Sequence, residues 1–314
     1  MAYAFQPGDV SAAALRRIAN QQLDRLAVRL NEPADIAAGH HEARKCLKRL
    51  RALLILARPV LGRASWRSAD RQLRDIGRDL SGARDAEVLP QIFDRLTRDH
   101  SESAFGPAKL RLRKSLAKRQ TANAPALGML ELSEQINCFR DQMIDLPLDR
   151  FSTGTALAGL ARDYRSGRAG LAKALETQDS EDFHDLRKQV QRHWRHMQLM
   201  TDAWPAEMRA RLALAKALSE RLGEDHDLWL LRCRLSDGAA GRNDTKWVSE
   251  IGRLCQERQL TVRVEAAQLA SQLYSERPKH LRRRLEAYWT AQEVTGNGAV
   301  DDVVPEAERV LVGE

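Results

Sequence analysis

Two stretches of the chain carry histidine, arginine and lysine at the same spacing. Residues 41–58 read HEARKCLKRLRALLILAR, and residues 184–200 read HDLRKQVQRHWRHMQLM. Both follow the pattern H-x-x-R-K-x-x-[K/Q]-R, and His184 lies 143 residues after His41. Arginine offers a planar fork of donors that matches phosphate oxygens, and lysine offers a compact positive charge. The chemistry that this pattern favours is therefore anion binding.

The first stretch has two faces when it is read as an α-helix with about 100° per residue. The polar face holds His41, Arg44, Lys45, Lys48, Arg49 and Arg51, and the apolar face holds Cys46, Leu47, Leu50, Leu53 and Leu54. Glu42 is the only acid between His41 and Arg58, so the cations repel one another unless an anion binds. A row of cations that repeats at every helical turn suits a linear polymer of regularly spaced anions. Protonation of the leading histidine would strengthen such binding as the pH falls.

The second stretch has the same organisation and is part of a longer internal repeat. Its polar face holds His184, Arg187, Lys188, Arg192 and Arg195, with Gln191 at the position of Lys48. The segment LSGARDAEVL at 80–89 also matches LGEDHDLWLL at 222–231, and Arg25 and Arg168 each precede their histidine by sixteen residues. These three matches at nearly one offset indicate a duplication that divides the chain near residue 150.

Composition indicates a helical protein with a polyanionic partner. The 314 residues are 30% charged and only 5% aromatic, which favours long helices, and the net charge of +8 points to either a polyanionic partner or an anionic surface. The cysteines form no CxxC pair, so we interpret them as reduced residues of a cytoplasmic protein. There is no signal-peptide pattern and no stretch of 18 apolar residues, so no membrane span is expected.

Helical periodicity covers nearly the whole chain. In the first half it predicts helices over 11–30, 41–58, 64–99 with an interruption near Ser81 and Gly82, and 126–146. In the second half it predicts helices over 154–178, from a cap at Asp179 or Ser180 to about 200, over 206–236, and from 245 to about 290 with a break at Pro278. The acidic residues 291–314 are predicted to be a disordered tail.

Motifs for other chemistry are missing from the sequence. There is no Gly-rich phosphate loop, no HExxH and no nucleophile elbow. His193 and His196 are three residues apart, but His193 falls on the apolar face and no further ligands complete a metal site. No carboxylate is spaced to orient His41 or His184 for acid–base catalysis. We therefore expect no cofactor, no metal and no enzymatic activity.

The doubled histidine helix, followed about 40 residues later by L-x-x-x-[R/H]-D-x-x-x-L, resembles the CHAD family, the conserved histidine α-helical domain. The segments GLARDYRSGR at 159–168 and RPKHLRRRLEAYW at 277–289 are also similar to that family, so the resemblance covers about residues 9–290. It implies an all-α fold of two tandem four-helix bundles, 9–150 and 151–290, related by pseudo-two-fold duplication. Some members are fused to a CYTH triphosphatase domain, whose N-terminal ExExK signature this sequence lacks.

The family's function then becomes an expectation for this chain. The resemblance implies non-catalytic binding of inorganic polyphosphate in a basic cavity, in the cytoplasm at polyphosphate granules. The implied binding residues are Arg25, His41, Arg44, Lys45, Lys48, Arg49, Arg51, Arg168, His184, Arg187, Lys188, Arg192, Arg195, Lys279, Arg282 and Arg283. Asp85 and Asp227 are predicted to be structural, and Trp66, Trp194, Trp229 and Trp289 to pack in or around the core.

Two other functions stay open at this point. A basic groove can hold the phosphate backbone of a nucleic acid, although the sequence has no helix-turn-helix pattern and few aromatic residues for stacking. An enzyme of polyphosphate metabolism is the other alternative, although the clustered carboxylates that hold catalytic metal ions are missing from the sequence.

Overall fold

The computed structural model is all-helical in the part of the chain that it describes, which confirms the predicted fold class at that level. It describes residues 3–6, 8–31, 36–80, 84–98, 105–106, 109–110, 112–114, 116–117, 129–235 and 245–296. In these ranges the only strand-like pairing is an isolated bridge between Gln6 and Asp9. The predicted loop at 237–244 and residues 297–314 of the predicted tail lie outside them. Residues 291–296, which the sequence predicted to be part of the disordered tail, continue the last described helix.

The helices agree closely with the periodicity of the sequence. They are α1 Ala12–Asn31, α2 Ile36–Asp79, α3 Arg84–Leu96, α4 Met129–Asp145, α5 Thr153–Thr177, α6 Ser180–Leu199, α7 Pro205–Arg234, α8 Thr245–Leu273 and α9 Pro278–Gly296. The described residues between 105 and 117 are also helical. Within these ranges, no helix is both long enough and apolar enough to cross a membrane.

Local signals set the ends of several helices. The Asp179 carboxylate accepts a hydrogen bond of 2.7 Å from the backbone N–H of Glu181, which confirms the predicted cap of α6. The predicted end of the first cationic helix is instead a kink. Helix α2 continues through Pro59 to Gly62, where φ is 72° and ψ is 167°, and then resumes. Glycine accepts this left-handed φ without a steric penalty.

The main hydrophobic core joins the two predicted repeats. One cluster of buried side chains runs from Tyr3 to Trp289 and includes the apolar faces of both cationic helices. Leu50 and Leu53 of α2 are buried, as are Leu186 and Val190 of α6, as their spacing predicted. Each such aliphatic side chain contributes about 1.5–3 kcal/mol when it is fully buried. Shared burial therefore holds α2 and α6 in one rigid framework.

Helix α5 packs directly on the backbone of α2. A Cβ added at Gly159 would lie only 2.6 Å from the carbonyl oxygen of Leu56, so a glycine is required where the helices cross. The N-terminal segment also connects the two halves. The Tyr3 hydroxyl donates to the Arg49 carbonyl at 2.8 Å, and the Phe5 N–H donates to the Leu199 carbonyl at 2.9 Å. These contacts fix the middle of α2 relative to the C-terminal end of α6.

Helix α3 belongs to a smaller second core. Leu89, Ile92 and Phe93 of α3 are buried in one cluster with Leu228 and Leu231 of α7, and this cluster extends to α8. A helix from the first half of the sequence therefore packs against helices from the second half. This arrangement brings α3 beside one end of the cationic surface.

Candidate functional site

The cationic faces of α2 and α6 meet in a groove. Its inner compartment, about 140 Å³ in volume, is lined by Lys48, Arg51, Ile55, Lys188, Gln191, Arg192 and Arg195. Its middle compartment, about 270 Å³, is lined by Arg44, Lys48, His184, Arg187, Lys188, Gln191, His226, Asp227 and Leu230. Lys48, Lys188 and Gln191 line both compartments, so the two adjoin each other between the repeated motifs.

The α2 wall is partly held in place by the carboxylate of Asp70 behind it. Arg51 donates from Nε to Asp70 Oδ1 at 2.8 Å, and Arg74 Nε lies 3.2 Å from Asp70 Oδ2. The Asp70 side chain is only 10% exposed, whereas that of Arg51 is 41% exposed. The carboxylate therefore orients the Arg51 guanidinium while the guanidinium still faces the groove.

The α6 wall rests on a buried polar layer. Arg192 donates from Nε to Asp163 Oδ1 at 2.8 Å, and its Nη2 lies 2.7 Å from the same oxygen. The other oxygen of Asp163 lies 3.5 Å from Nδ1 of His196, whose Nε2 lies 3.0 Å from the carbonyl oxygen of Ala52 in α2. This chain of contacts ties an arginine of the groove wall to the backbone of the opposite cationic helix.

Arg195 is the most buried cation of the inner compartment. Its Nη1 donates to the Gln191 carbonyl at 2.5 Å, and its guanidinium lies 5.8 Å from the Trp194 ring centroid. Burial lowers the pKa of Arg195 to about 10. The guanidinium therefore remains protonated at neutral pH, and its charge acts in a poorly hydrated environment.

His184 lines the middle compartment in its neutral form. Its ring stacks on His226, with centroids 4.0 Å apart and an interplanar angle of 21°. Burial, together with the charges of Lys188 and Arg187, lowers the pKa of His184 to about 4. In the free protein its protonation therefore adds charge only at acidic pH. The sequence predicted a gain in positive charge as the pH falls, and burial moves this gain to the more acidic pH at which His184 titrates.

A third, outer compartment continues the groove past α7. It has a volume of about 420 Å³ and is lined by Arg95, Arg187, Gln191, Ser219, Glu220, Arg221, Gly223, Glu224 and Asp227. A Cβ added at Gly223 would lie 3.4 Å from Nη2 of Arg187, which is van der Waals contact, so the backbone of α7 lies close against this guanidinium. Asp227 faces both the middle and the outer compartments.

The structure brings together eight of the sixteen predicted binding residues. Arg44, Lys48, Arg51, His184, Arg187, Lys188, Arg192 and Arg195 line the inner and middle compartments. His41 is exposed one helical turn before Arg44, outside the lining of the three compartments. Of the two motif histidines, only His184 thus lines the groove described above.

The remaining predicted residues lie on other surfaces. Lys45 pairs with Glu42 at 2.6 Å, and Arg49 donates to Gln22 at 3.3 Å and lies over the Tyr3 ring. Arg25 is exposed on α1, and Arg168 donates to the Glu276 carbonyl at 2.6 Å near the start of α9. Lys279, Arg282 and Arg283 lie in the first two turns of α9. Their part in binding stays a prediction.

Most of the tryptophans that were predicted to pack in or around the core do so. Trp289 is buried, and Trp66 and Trp194 pack against the main core, as predicted. The Trp229 ring centroid lies 5.5 Å from that of His226, at the edge of the middle compartment. The side chain of Asp85 lies outside the described part of the chain.

Three residues of the site were not predicted as part of it. Asp163 lies in GLARDYRSGR and His226 in LGEDHDLWLL, two segments whose sequences resemble the family, but neither residue was singled out for the site. Asp70 had no signal in any motif, because an isolated acid predicts nothing by itself. Among the described residues, no group of three or more His, Cys, Asp or Glu side chains is arranged to hold a metal ion. The chemistry of the groove is therefore carried by guanidinium and ammonium donors, which bind anionic oxygens.

The fold and the site define an all-α domain with a cationic groove between two helices, and comparison with known proteins specifies its family. The family model of the CHAD domain matches residues 12–236, more than half of the chain, so the chain belongs to the CHAD family. The crystal structure of the CHAD domain from the plant Ricinus communis is similar, with a TM-score of 0.65 over 88% of this chain and 95% of that chain. Its 18% identity supports a shared fold alone. A comparison with curated proteins gave no match.

Proposed function

We propose that this protein binds inorganic polyphosphate in the groove between α2 and α6, without catalysing its turnover. The observation that carries the proposal is the convergence of Arg44, Lys48 and Arg51 from one helix with Lys188 and Arg195 from the other. Polyphosphate is a linear polymer with a negative charge on each unit, so facing rows of cations match its repeat. Membership of a family that is associated with polyphosphate supports the same ligand.

We also infer that the two cationic helices descend from a duplicated unit, with repeats over 9–150 and 151–290. The equal spacing of the motifs and their meeting across one groove support this inference. The helices do not separate into two independent cores, because one buried cluster includes residues of both halves. Each repeat is thus proposed as a four-helix bundle that shares its core with the other. The cellular site proposed is the cytoplasmic surface of polyphosphate granules.

A competition titration tests the ligand. A labelled polyphosphate is displaced from the full chain by polyphosphate, DNA, RNA or heparin at one fixed salt concentration. We expect polyphosphate to compete at least about tenfold more strongly than the other polyanions, a difference of about 1.4 kcal/mol. Equal competition by all four would indicate a general polyanion surface and would contradict the proposal. A fixed salt concentration is essential because each phosphate contact adds to the salt dependence.

A further inference from the structure

The charge on the groove wall changes stepwise along its length. The inner compartment is lined by five cations and no acid, and the middle compartment by four cations and one acid, Asp227. The outer compartment is lined by three arginines and three acids, which are Glu220, Glu224 and Asp227. The charge of the wall therefore changes from strongly positive in the inner compartment to an equal number of cations and acids in the outer one.

The three compartments adjoin one another. Lys48 and Lys188 line both the inner and the middle compartments, Arg187 and Asp227 line both the middle and the outer compartments, and Gln191 lines all three. A linear polyanion that extends from the inner compartment toward the outer one therefore meets the acids Asp227 and Glu220. The change in wall charge occurs along the course of the ligand.

Acids also hold the cations at the outer end. Glu224 accepts hydrogen bonds from Arg221 at 3.1 Å and from Arg258 at 2.8 Å, and its side chain is only 18% exposed. Its partners are thus already satisfied by a carboxylate of the protein. A phosphate that enters here loses hydration, is repelled by three carboxylates and finds Arg221 already engaged by Glu224. The outer compartment has a larger volume than the other two but opposes further binding of the polyanion.

We propose that Glu220, Glu224 and Asp227 end the phosphate-binding run of the groove, so that the protein engages a polyphosphate segment of limited length. This inference rests on the proposed function and specifies its ligand, a segment held by the inner and middle compartments. Phosphates beyond this segment remain in solvent. Longer chains then offer more positions for binding but add no further contacts.

The salt dependence of binding measures the number of contacts directly. Affinity is measured at several salt concentrations for linear polyphosphates of graded length, from triphosphate to long chains. For the unmodified protein, we expect the slope of log affinity against log salt to rise with chain length and then to stop rising. A statistical gain from longer chains changes the affinity but not this slope.

A charge-neutralised variant then extends the run. Glu220→Gln with Asp227→Asn removes two of the three acids and keeps Glu224, which pairs with two arginines. For long chains we expect an affinity gain of about tenfold and a steeper slope by about 0.7 per added contact. Triphosphate should gain less than about threefold, because it fits within the cationic compartments. The matched control is Asp145→Asn with Asp149→Asn, two exposed acids outside the groove lining, and it should show no length-dependent gain.

Three results would overturn the inference. They are a salt slope that keeps growing with chain length in the unmodified protein, an equal gain for triphosphate and long chains in the variant, and no gain for either. If the double variant fails to fold, Glu220→Gln alone, at an exposed position, gives the same comparison. Absence of polyphosphate binding at every length is a separate result, which would overturn the proposed function itself.

Discussion

The two cationic helices share one sequence pattern but rest on different supports. Helix α2 places Arg49 against the neutral side chain of Gln22 and packs on Leu50 and Leu53. Helix α6 places Arg192 against the buried carboxylate of Asp163, and the residues that follow at the same spacing are His193 and His196, both fully buried. The groove wall is therefore similar on both sides. Behind the motif, the α2 layer is apolar except for the pair of Arg51 with Asp70, whereas the α6 layer is polar at the matching positions.

This difference shows how one binding motif can serve two structural purposes. Apart from Arg51, which pairs with the buried Asp70, the α2 copy can vary its groove residues with little effect on the core, because aliphatic packing holds the helix. The α6 copy couples its groove residues to a polar layer that also reaches the α2 backbone through His196. Since a buried charge without its partner is costly, α6 should be the less tolerant of the two helices.

The largest expected difference concerns the equivalent arginines Arg192 and Arg49. Arg192→Ala leaves Asp163, only 4% exposed, without its cation, and breaking such a buried pair costs about 3–5 kcal/mol of stability. Arg49→Ala removes a 3.3 Å hydrogen bond to a neutral amide and the contact with the Tyr3 ring but leaves no buried charge behind, so we expect a loss of about 1–2 kcal/mol. Chemical denaturation of both variants measures the two losses. Equal losses would contradict the proposed difference between the supports.

A smaller effect concerns His193, which stands where α2 has Leu50. Burial, with the charges of Arg211 and His196, lowers the pKa of His193 well below its usual value. The folded state therefore keeps this ring neutral, whereas the unfolded chain takes up a proton below about pH 6.5. Stability contributed by the neutral ring is thus present above that pH and is lost as the pH falls. At pH 5 the loss amounts to about 2 kcal/mol.

His193→Leu copies the α2 side chain and removes this dependence. Free energies of unfolding at pH 7 and pH 5 should differ by about 2 kcal/mol less in the variant than in the unmodified protein. His196, whose pKa burial also lowers, keeps part of the dependence in both proteins. Leu50→Ile, a change at the matching position of α2, serves as the control and should leave the pH dependence unchanged. An undiminished dependence in His193→Leu would place the proton uptake elsewhere.

Residues within one helix could be predicted from the sequence, because spacing alone fixes which side chains share a face. The buried face of α6 and its Asp179 cap followed from this rule. The contacts of Arg51 with Asp70 and of Arg192 with Asp163 could not be predicted, since they depend on which helices pack together. The position of α3 beside α7 could not be predicted for the same reason. A repeat indicates equivalent helices but does not specify how their neighbours are shared.

The central claim is that cations of both helices bind polyphosphate in one groove. Arg44→Ala with Lys48→Ala tests it on α2, and Arg187→Ala with Lys188→Ala tests it on α6. Arg51 is left unchanged because it neutralises Asp70. Arg67→Ala with Arg78→Ala is the control, since it removes the same charge from exposed positions of α2 that lie outside the groove lining.

A polyphosphate titration of the three variants, with a thermal melt of each, is the most direct measurement. The α2 variant should bind at least about 100-fold more weakly at an unchanged melting temperature, because each charge-assisted hydrogen bond contributes about 1.5–3 kcal/mol. The α6 variant should lose less, since the α6 row already has Gln191 at the position that Lys48 occupies on α2. The control should lose only a few-fold. A folded α2 variant that binds as tightly as the control would show that the groove is not the binding site.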